Sequence, residues 1–291
     1  MTSTRPAHSI PPERRARRFY EERFRGGAYA AEQSARGEQA LRAFVSQFGL
    51  ERARVLEVGC GRGRYQGMVQ SWIGVDVATS CARHIRRPFV AASGAALPFK
   101  DDSFDALWSL DVLEHIPRPE LALTEARRVV RSGGYIFLSP AWQVRAWAAQ
   151  GCAVRSYREL DWRGRLTKLT IPVRDSVVFR AALLVPRRLV RHLLWTMCKR
   201  PTSFLYRELR PNYEVYWTSD SDACNSMDPY EAVLWFVSRG DECLSHPTPL
   251  RALSVRTGAL TFRVRKRRGQ RGEVRESHPA IRGMDPIPQR P

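Results

Sequence analysis

The segment VLEVGCGRGRY, residues 55–65, constrains the fold of this chain more than any other part of the sequence. It joins an apolar run that contains one acidic residue, Glu57, to three glycines spaced two apart: Gly59, Gly61 and Gly63. A short continuous apolar run is typical of a buried strand. Glycines directly after such a strand permit positive φ angles and let a ligand approach the backbone closely. The segment therefore predicts a buried strand that ends in a ligand-binding turn.

The spacing of these glycines differs from the dinucleotide-binding fingerprint, which is G-x-G-x-x-G. Here the pattern is G-x-G-x-G, and Glu57 stands two places before the first glycine. A carboxylate at the strand end would repel a pyrophosphate, whereas it suits a cationic or uncharged ligand. The next apolar run, WIGVD, ends at Asp76, which is placed to accept hydrogen bonds from both hydroxyls of a ribose. A role for Asp76 as a helix N-cap is the structural alternative.

Strand-like and helix-like segments alternate after this turn. The apolar runs RVLEVG, WIGVDV, FDALWSL and YIFLSP have the length of strands, and PELALTEARRVVR, before the last of them, has the spacing of a helix. The runs are continuous rather than alternating, as in parallel strands that are buried on both faces. We therefore expect an α/β fold with a mostly parallel sheet and helices on both faces.

The net charge of +19 is unevenly distributed along the chain. Residues 1–26 carry +4, residues 141–214 carry +10 and residues 263–291 carry +6, which leaves the remainder almost neutral. From this charge and from the Pro-, Gly- and Arg-rich ends we predict four parts: a disordered basic arm at 1–17, one domain at 18–266, a mainly helical basic insertion at 141–214 that follows the fifth strand as a lid, and a disordered basic tail at 267–291.

The most apolar stretch, residues 176–198, is interrupted by arginines and a proline, so it is a poor transmembrane candidate. It is expected either to pack as part of the lid or to lie as an amphipathic helix on an anionic bilayer. The N-terminus lacks the apolar core of a signal peptide, which favours a cytoplasmic protein with, at most, peripheral membrane contact. Six scattered cysteines indicate neither a disulfide framework nor a zinc site.

Residues 96–140, ALPFKDDSFDALWSLDVLEHIPRPELALTEARRVVRSGGYIFLSP, complete a pattern that begins at the glycine turn. Its elements are that turn with Asp76, the LPF tripeptide, the F-D-A-L-W-S strand with L-E-H-I, and the R-S-G-G turn. In this order and spacing they resemble the class I S-adenosylmethionine-dependent methyltransferases, most of all the group that modifies quinones and small molecules. The resemblance covers about residues 50–140 and, more loosely, 228–266. It implies a Rossmann-like, seven-stranded sheet and S-adenosylmethionine as cofactor.

The resemblance also implies a cofactor site of eight residues: Glu57, Gly59, Gly61, Gly63, Asp76, Ser93, Gly94 and Asp111. The glycine turn would wrap the methionine part of the cofactor, and Glu57 would support the turn and the ammonium group of the cofactor. Asp76 would hold the ribose. Ser93 stands where the family often has an acid that binds the adenine amino group, and the amide of Gly94 could share that role. Asp111 follows the fourth strand and would face the methyl donor.

Three side chains are candidates for acid–base catalysis: His115, Asp220 and Asp222. His115 could act as a general base near the methyl group, because imidazole titrates in the right range. Its alternative is a structural role in which it caps or packs against the helix that is predicted to start at Pro117. Asp220 or Asp222 could take a proton from a hydroxyl acceptor, although Ser, Asp and Asn also cluster in turns for local backbone hydrogen bonds. The sequence indicates no metal site.

The aromatic and basic insertion would suit a small-molecule acceptor or a glycan- or lipid-linked one, including an anionic acceptor. We expect direct in-line transfer of the methyl group to an oxygen of the acceptor, with nitrogen and carbon as the less favoured alternatives. The alternative is an RNA-directed methyltransferase or an RNA-binding protein that uses the basic insertion and tails. Against it, the chain has no recognisable RNA-binding module, and SLDV follows the fourth strand instead of an N-P-P-Y-like tetrapeptide. A cofactor-binding protein that has lost catalysis is a third interpretation.

Overall fold

The computed structural model describes residues 12–25, 35–218 and 220–266. These residues form seven α-helices: α1 (Pro12–Arg25), α2 (Ala35–Gln47), α3 (Pro119–Val129), α4 (Trp162–Asp175), α5 (Val177–Cys198), α6 (Pro229–Val237) and α7 (Pro249–Leu253). They also form nine β-strands: β1 (Arg54–Val58), β2 (Ser71–Asp76), β3 (Phe89–Ala91), β4 (Phe104–Leu110), β5 (Val130–Ser139), β6 (Tyr206–Glu208), β7 (Asn225–Met227), β8 (Glu242–Cys243) and β9 (Leu260–Arg263).

Seven strands make one sheet in the order β3-β2-β1-β4-β5-β9-β8. The pairs from β3 to β5 are parallel, and β9 runs antiparallel to both β5 and β8. This confirms the predicted mostly parallel, seven-stranded α/β fold. The strand order reverses between β1 and β4, so the carboxyl ends of these two strands border the crevice in which open α/β sheets bind ligands. Strands β6 and β7 form a separate antiparallel pair.

The sheet is buried on both faces, which explains its continuous apolar runs. Successive residues of β1 point to opposite sides. Val55 belongs to a cluster with Leu41 and Phe44 of α2, whereas Leu56 belongs to a cluster with Leu123 of α3. Both side chains are fully buried, so β1 has apolar residues on both faces and lacks the alternation of polar and apolar residues seen in strands with one exposed face.

Helix α1 packs beside the carboxyl end of β2. Its residues Phe19, Tyr20 and Phe24 form a third apolar cluster with Ala78 and Cys81. Since α1 begins at Pro12, residues 12–17 of the predicted arm are helical. Residues 1–11 of that arm and the predicted tail at 267–291 lie outside the described residues.

Two connections differ from the short α-helices that the alternating pattern predicts. Residues 59–70 run as a series of turns from β1 to β2, and residues 79–84 after β2 form a 3₁₀ helix. The glycines at the first connection account for the difference, because glycine loses the most backbone freedom when a helix forms.

The segment that follows β5 contains α4 and α5, separated only by Ser176. Asp161 caps α4 by accepting a hydrogen bond from the Gly164 amide at 2.7 Å, and Ser176 caps α5 through the Phe179 amide. Helix α5 continues through Pro186 as one element. Within the part of the chain that the structure describes, no helix is long and apolar enough to cross a bilayer.

Candidate active site

The glycine turn closes tightly between the ends of β1 and β4. Gly59 has a φ of +76°, and a Cβ there would lie 2.1 Å from Cγ2 of Val112, which follows β4. Gly63 has a φ of +71°, and a Cβ there would lie 2.9 Å from Ile85 Cγ1. The amide of Gly59 donates to the Val75 carbonyl at 2.8 Å, which fixes the turn against β2. Glycine is therefore required here by both backbone conformation and space.

Asp76 ends β2 as predicted and is almost completely buried. Its Oδ2 accepts a hydrogen bond from the Gly61 amide at 2.9 Å, and its Oδ1 accepts one from the Ala78 amide at 3.0 Å. Burial raises its pKa, although these amides act in the opposite direction. The carboxylate thus joins the glycine turn to the turn after β2, and each oxygen keeps further acceptor capacity. The N-cap of the following 3₁₀ helix is Ala78, so the capping alternative does not describe Asp76.

Glu57 points beneath the turn, into the core. Its carboxyl is buried, and Oε2 accepts a hydrogen bond from Trp72 Nε1 at 2.7 Å. Burial raises the pKa of Glu57 to about 8, so the carboxyl is mainly protonated at neutral pH. A cation bound beside it would offset that penalty.

The other predicted cofactor residues converge on the same edge of the sheet. Ser93 Oγ accepts a hydrogen bond from the Ala95 amide, and a Cβ on Gly94 would lie 2.8 Å from Val58 Cγ1 at the end of β1. Asp111 directly follows β4, with an exposed side chain and a φ of +53°. All eight residues that the sequence proposes for the cofactor therefore lie at or below the carboxyl ends of β1 to β4.

These residues fit S-adenosylmethionine. The turn leaves no room for side chains at Gly59 or Gly63, Asp76 offers spare carboxylate acceptors to a ribose, and the buried carboxyl of Glu57 lies beneath the turn. Ser109 Oγ, at the end of β4, is buried without a hydrogen-bond partner among the described residues. An unpaired buried hydroxyl next to a ligand crevice is costly unless a ligand or water completes it.

His115 lies in a buried cluster of ionisable side chains beyond β4. Its Nδ1 is 3.5 Å from Asp222 Oδ2, and its Nε2 is 3.9 Å from Glu114 Oε1. The same Asp222 oxygen accepts a hydrogen bond from the Tyr20 hydroxyl at 2.7 Å. We call Tyr20, Glu114, His115 and Asp222 the acid–imidazole cluster. His115 caps no helix, because α3 begins at Pro119 after Arg118.

Two members of the cluster, His115 and Glu114, have raised pKa values. Burial lowers the pKa of His115, but the carboxylates of Glu114 and Asp222 outweigh burial and the pKa is raised. Burial raises the pKa of Glu114 to about 7. The Asp222 carboxylate contacts the imidazole, and the charge of Asp220 also raises the pKa of His115.

Sequence analysis did not identify Tyr20 as a site residue. Tyr20 and Asp222 are 202 positions apart, and no local motif marks the tyrosine. The sequence shows only that Tyr20 is an aromatic residue on the apolar face of an arginine-rich amphipathic helix. Such a pattern predicts that this face packs against another part of the protein, but it does not identify that part.

A cavity of about 590 Å³ lies next to the cluster. It is lined by α1, by the start of the segment after β5, and by the chain after β6: Arg15, Ala146, Ala149, Gln150 and residues 207–214. Tyr213 connects the two sites, because it lines the cavity and its hydroxyl lies 3.4 Å from Cys224 Sγ, two residues after Asp222. The ring of Tyr213 also packs against Phe19 of α1 at 5.0 Å.

Comparison with known proteins identifies a methyltransferase domain in the chain. A family model described as a methyltransferase domain matches residues 56–138. The chain is 29% identical over 200 residues to a Mycolicibacterium smegmatis protein named fatty-acid O-methyltransferase, with 61% of this chain and 70% of that protein covered. It is 30% identical over 137 residues to a Mycobacterium ulcerans protein named probable phthiotriol/phenolphthiotriol dimycocerosates methyltransferase 2, with 40% and 53% covered. The chain thus spans about half the length of the second relative.

Among solved structures, the chain is similar to the 1,6-didemethyltoxoflavin-N1-methyltransferase of Burkholderia thailandensis, determined with bound 1,6-didemethyltoxoflavin and S-adenosylhomocysteine. The TM-score is 0.40 at 19% identity, with 50% of this chain and 68% of that chain covered. The sheet order and the matched methyltransferase domain agree with the resemblance in the sequence. Residues 56–138 are therefore a methyltransferase domain of the class I, S-adenosylmethionine-dependent kind, and S-adenosylmethionine is its cofactor.

Proposed function

We propose that this enzyme methylates a hydroxyl oxygen on a hydrophobic small molecule or lipid-linked acceptor. The observation that carries the proposal is the acid–imidazole cluster, which lies buried at the carboxyl end of β4 beside Asp111. A hydroxyl must lose its proton when it attacks a methyl group, and a positioned imidazole with a carboxylate partner can accept that proton.

In this proposal the glycine turn would hold the cofactor. Gly59, Gly61 and Gly63 would bind its methionine part, and Glu57 would support the turn from below. Asp76 would accept hydrogen bonds from the ribose hydroxyls, and Ser93 with the Gly94 amide would bind the adenine. S-adenosylmethionine supplies an electrophilic methyl group on its sulfonium. Asp111 and the unpaired hydroxyl of Ser109 face that group from the end of β4.

His115 is the proposed general base. Its neutral imidazole takes the proton of the acceptor hydroxyl, and Asp222 stabilises the imidazolium that forms. Tyr20 positions Asp222 through the 2.7 Å hydrogen bond, so α1 contributes to the site from above. Much of the remaining catalysis comes from alignment of the acceptor and exclusion of water.

Electrostatics favour a hydroxyl over a carboxylate at the point of transfer. Asp111, Glu114, Asp220 and Asp222 surround His115 with acidic groups, and these would repel a carboxylate. The cavity next to the cluster has three arginines at its wall: Arg15, Arg207 and Arg210. They suit an anionic part of the acceptor at a distance from the reacting oxygen. The lipid substrates in the names of the two mycobacterial relatives support an amphiphilic acceptor.

Transfer of labelled methyl from S-adenosylmethionine into a fractionated cell extract tests the acceptor class. We expect label in the lipid or small-molecule fraction. Label in RNA instead would favour the RNA-directed alternative, and label in no fraction would favour a cofactor-binding protein without catalysis.

The variant His115→Gln tests the proposed base with the labelled acceptor. We expect kcat to fall about 10²- to 10⁴-fold, because a positioned base contributes that much. Calorimetry should give an unchanged affinity for S-adenosylmethionine. His246→Gln changes a partly buried histidine outside the cluster and is the matched control. A His115→Gln enzyme with normal kcat would remove the base from the mechanism.

A further inference from the structure

Helices α4 and α5 expose most of their apolar side chains. Nineteen large apolar side chains are exposed among the described residues, and fourteen of them lie on these two helices: Trp162, Leu166, Leu169, Val173, Val177, Val178, Phe179, Leu183, Val185, Leu189, Val190, Leu193, Leu194 and Met197. Only Gly164 and Arg188 are buried in the two helices. Exposed apolar surface on this scale marks an interaction site in a folded protein.

Helix α5 is attached to the domain by its charged residues. Arg188 forms a two-point ion pair with Asp228 at 2.5 and 3.0 Å, and its other nitrogen donates to the carbonyls of Leu253 and Val255 at 2.7 Å. Arg191, about one helical turn after Arg188, forms an ion pair with Glu231 at 3.0 Å. Polar contacts therefore hold the inner side of α5 together with partly buried Trp195, and all of its leucines and valines except Leu184 are exposed. This is the reverse of a helix that packs on a protein core.

The exposed side is also strongly basic. Residues 162–200 contain ten arginines and lysines and one acid, Asp175, and two of the ten, Arg188 and Arg191, face the domain. Arg163, Arg187 and Arg200 are exposed among the apolar residues. Long basic side chains can lay their methylene stems along apolar surface and keep their charges in a headgroup layer. Apolar residues interspersed with cations are the pattern of helices that lie on anionic membranes.

We propose that the exposed sides of α4 and α5, here called the α4–α5 face, dock on an anionic lipid bilayer. The inference goes beyond the proposed function, since docking can be measured without an acceptor. A second copy of the face would bring like charges together. The terminal segments 1–26 and 263–291 carry net charges of +4 and +6, so they too are repelled. An anionic bilayer can bury the apolar side chains in its acyl region and attract the basic side chains to its headgroups.

Cys198 provides a reporter at the end of α5. It is exposed, whereas the five other cysteines are buried, so the full-length chain can be labelled there with an environment-sensitive thiol probe. We expect co-sedimentation and a blue shift of the probe with vesicles of equal parts phosphatidylglycerol and phosphatidylcholine. Binding to pure phosphatidylcholine should be at least about tenfold weaker, because several cations contribute to attraction by anionic lipid.

The double variant Leu193→Glu, Met197→Glu tests the face itself. Both side chains are exposed, at 60% and 80%, so the fold should tolerate the change. Partition onto anionic vesicles should fall by about tenfold or more, since two apolar contacts are lost and two negative charges gained. Leu250→Glu makes the same substitution at a side chain on α7 that is 77% exposed, and it should bind like wild type.

Three results would overturn the proposal. The first is that the wild-type protein does not bind anionic vesicles. The second is that the double variant binds them as well as Leu250→Glu does. The third is that light scattering shows a dimer for the wild type and for Leu250→Glu but a monomer for the double variant. The last result would assign the face to a second copy. Methyl transfer to a detergent-dispersed acceptor should be unchanged in the double variant, so failure of docking is separable from failure of the proposed function.

Discussion

At the scale of single residues, the protonation of His115 sets the pH at which the proposed base works. Its pKa is raised, so the imidazole remains cationic to a higher pH than usual, and the rate of O-methylation should rise as pH passes through this pKa. Asp222→Asn removes one of the carboxylates that raise the pKa. We therefore expect the His115 pKa from NMR titration to fall in this variant, while the other histidines titrate as before. An unchanged His115 pKa would contradict the cluster.

Gly59 tests the glycine turn at the same scale. Gly59→Ala forces a positive φ on alanine and places a methyl group 2.1 Å from Val112 Cγ2, so the free energy of unfolding should fall by about 2 kcal/mol or more. Affinity for S-adenosylmethionine should fall as well. Gly49→Ala shares the positive φ but meets nothing within 4 Å, and should cost about 1 kcal/mol. If denaturant titrations gave both variants the same loss in the free energy of unfolding, the contact with Val112 would not be the cause.

At the scale of elements, the docking of α1 depends on Glu21. Its carboxylate accepts hydrogen bonds from the Thr79 amide and hydroxyl at 2.6 and 2.5 Å and from the Ser80 amide at 3.1 Å. Burial alone would raise its pKa, but these donors lower it to about 2. Since the folded pKa is depressed, the contribution to stability is present above about pH 4.5 and is lost as pH falls toward 2.

Glu21→Gln should therefore loosen α1 at neutral pH. We expect faster hydrogen exchange in α1. We also expect a higher KM for S-adenosylmethionine, because the ring of Phe24 in α1 lies next to the glycine turn, 3.6 Å from where a Cβ on Gly61 would be. Glu22→Gln is the matched control, as Glu22 is exposed and pairs with exposed Arg18 on the surface of the same helix. Similar exchange rates in the two variants would show that Glu21 does not hold α1.

Helix α5 shows the limit of pattern analysis at this scale. Its length and apolar content were predictable, and so was its poor fit to a membrane span. Which side faces the domain was not, because apolar residues normally turn inward and here Arg188 does. The partner that reverses the rule, Asp228, lies 40 positions away and also caps α6.

At the scale of the whole molecule, the boundaries of the domain stay a prediction. The last described residues are tied to the sheet, since the Val264 amide donates to the Gly134 carbonyl at 2.9 Å and the Lys266 amide to Ser132 Oγ at 3.1 Å. A chain shortened to residues 12–266 should therefore unfold in one cooperative transition and bind S-adenosylmethionine as the full chain does. Calorimetry and thermal unfolding check this. A loss of affinity would place residues outside this range in the site.

The sequence alone determined the sheet, the glycine turn and the acid at the end of β2. Each is written locally, in the period of apolar residues or in the spacing of a few glycines and acids along a single segment. The methyltransferase family followed from the order of such segments.

Only the tertiary structure decided which side chains meet. It brought Tyr20 to Asp222, turned Glu57 into the core under Trp72, selected Asp222 over Asp220 as the partner of His115, and set α5 with its arginines inward. These contacts join residues from 15 to 202 positions apart. They depend on how whole elements pack and on which buried charges must be compensated, and no local pattern in the chain records either.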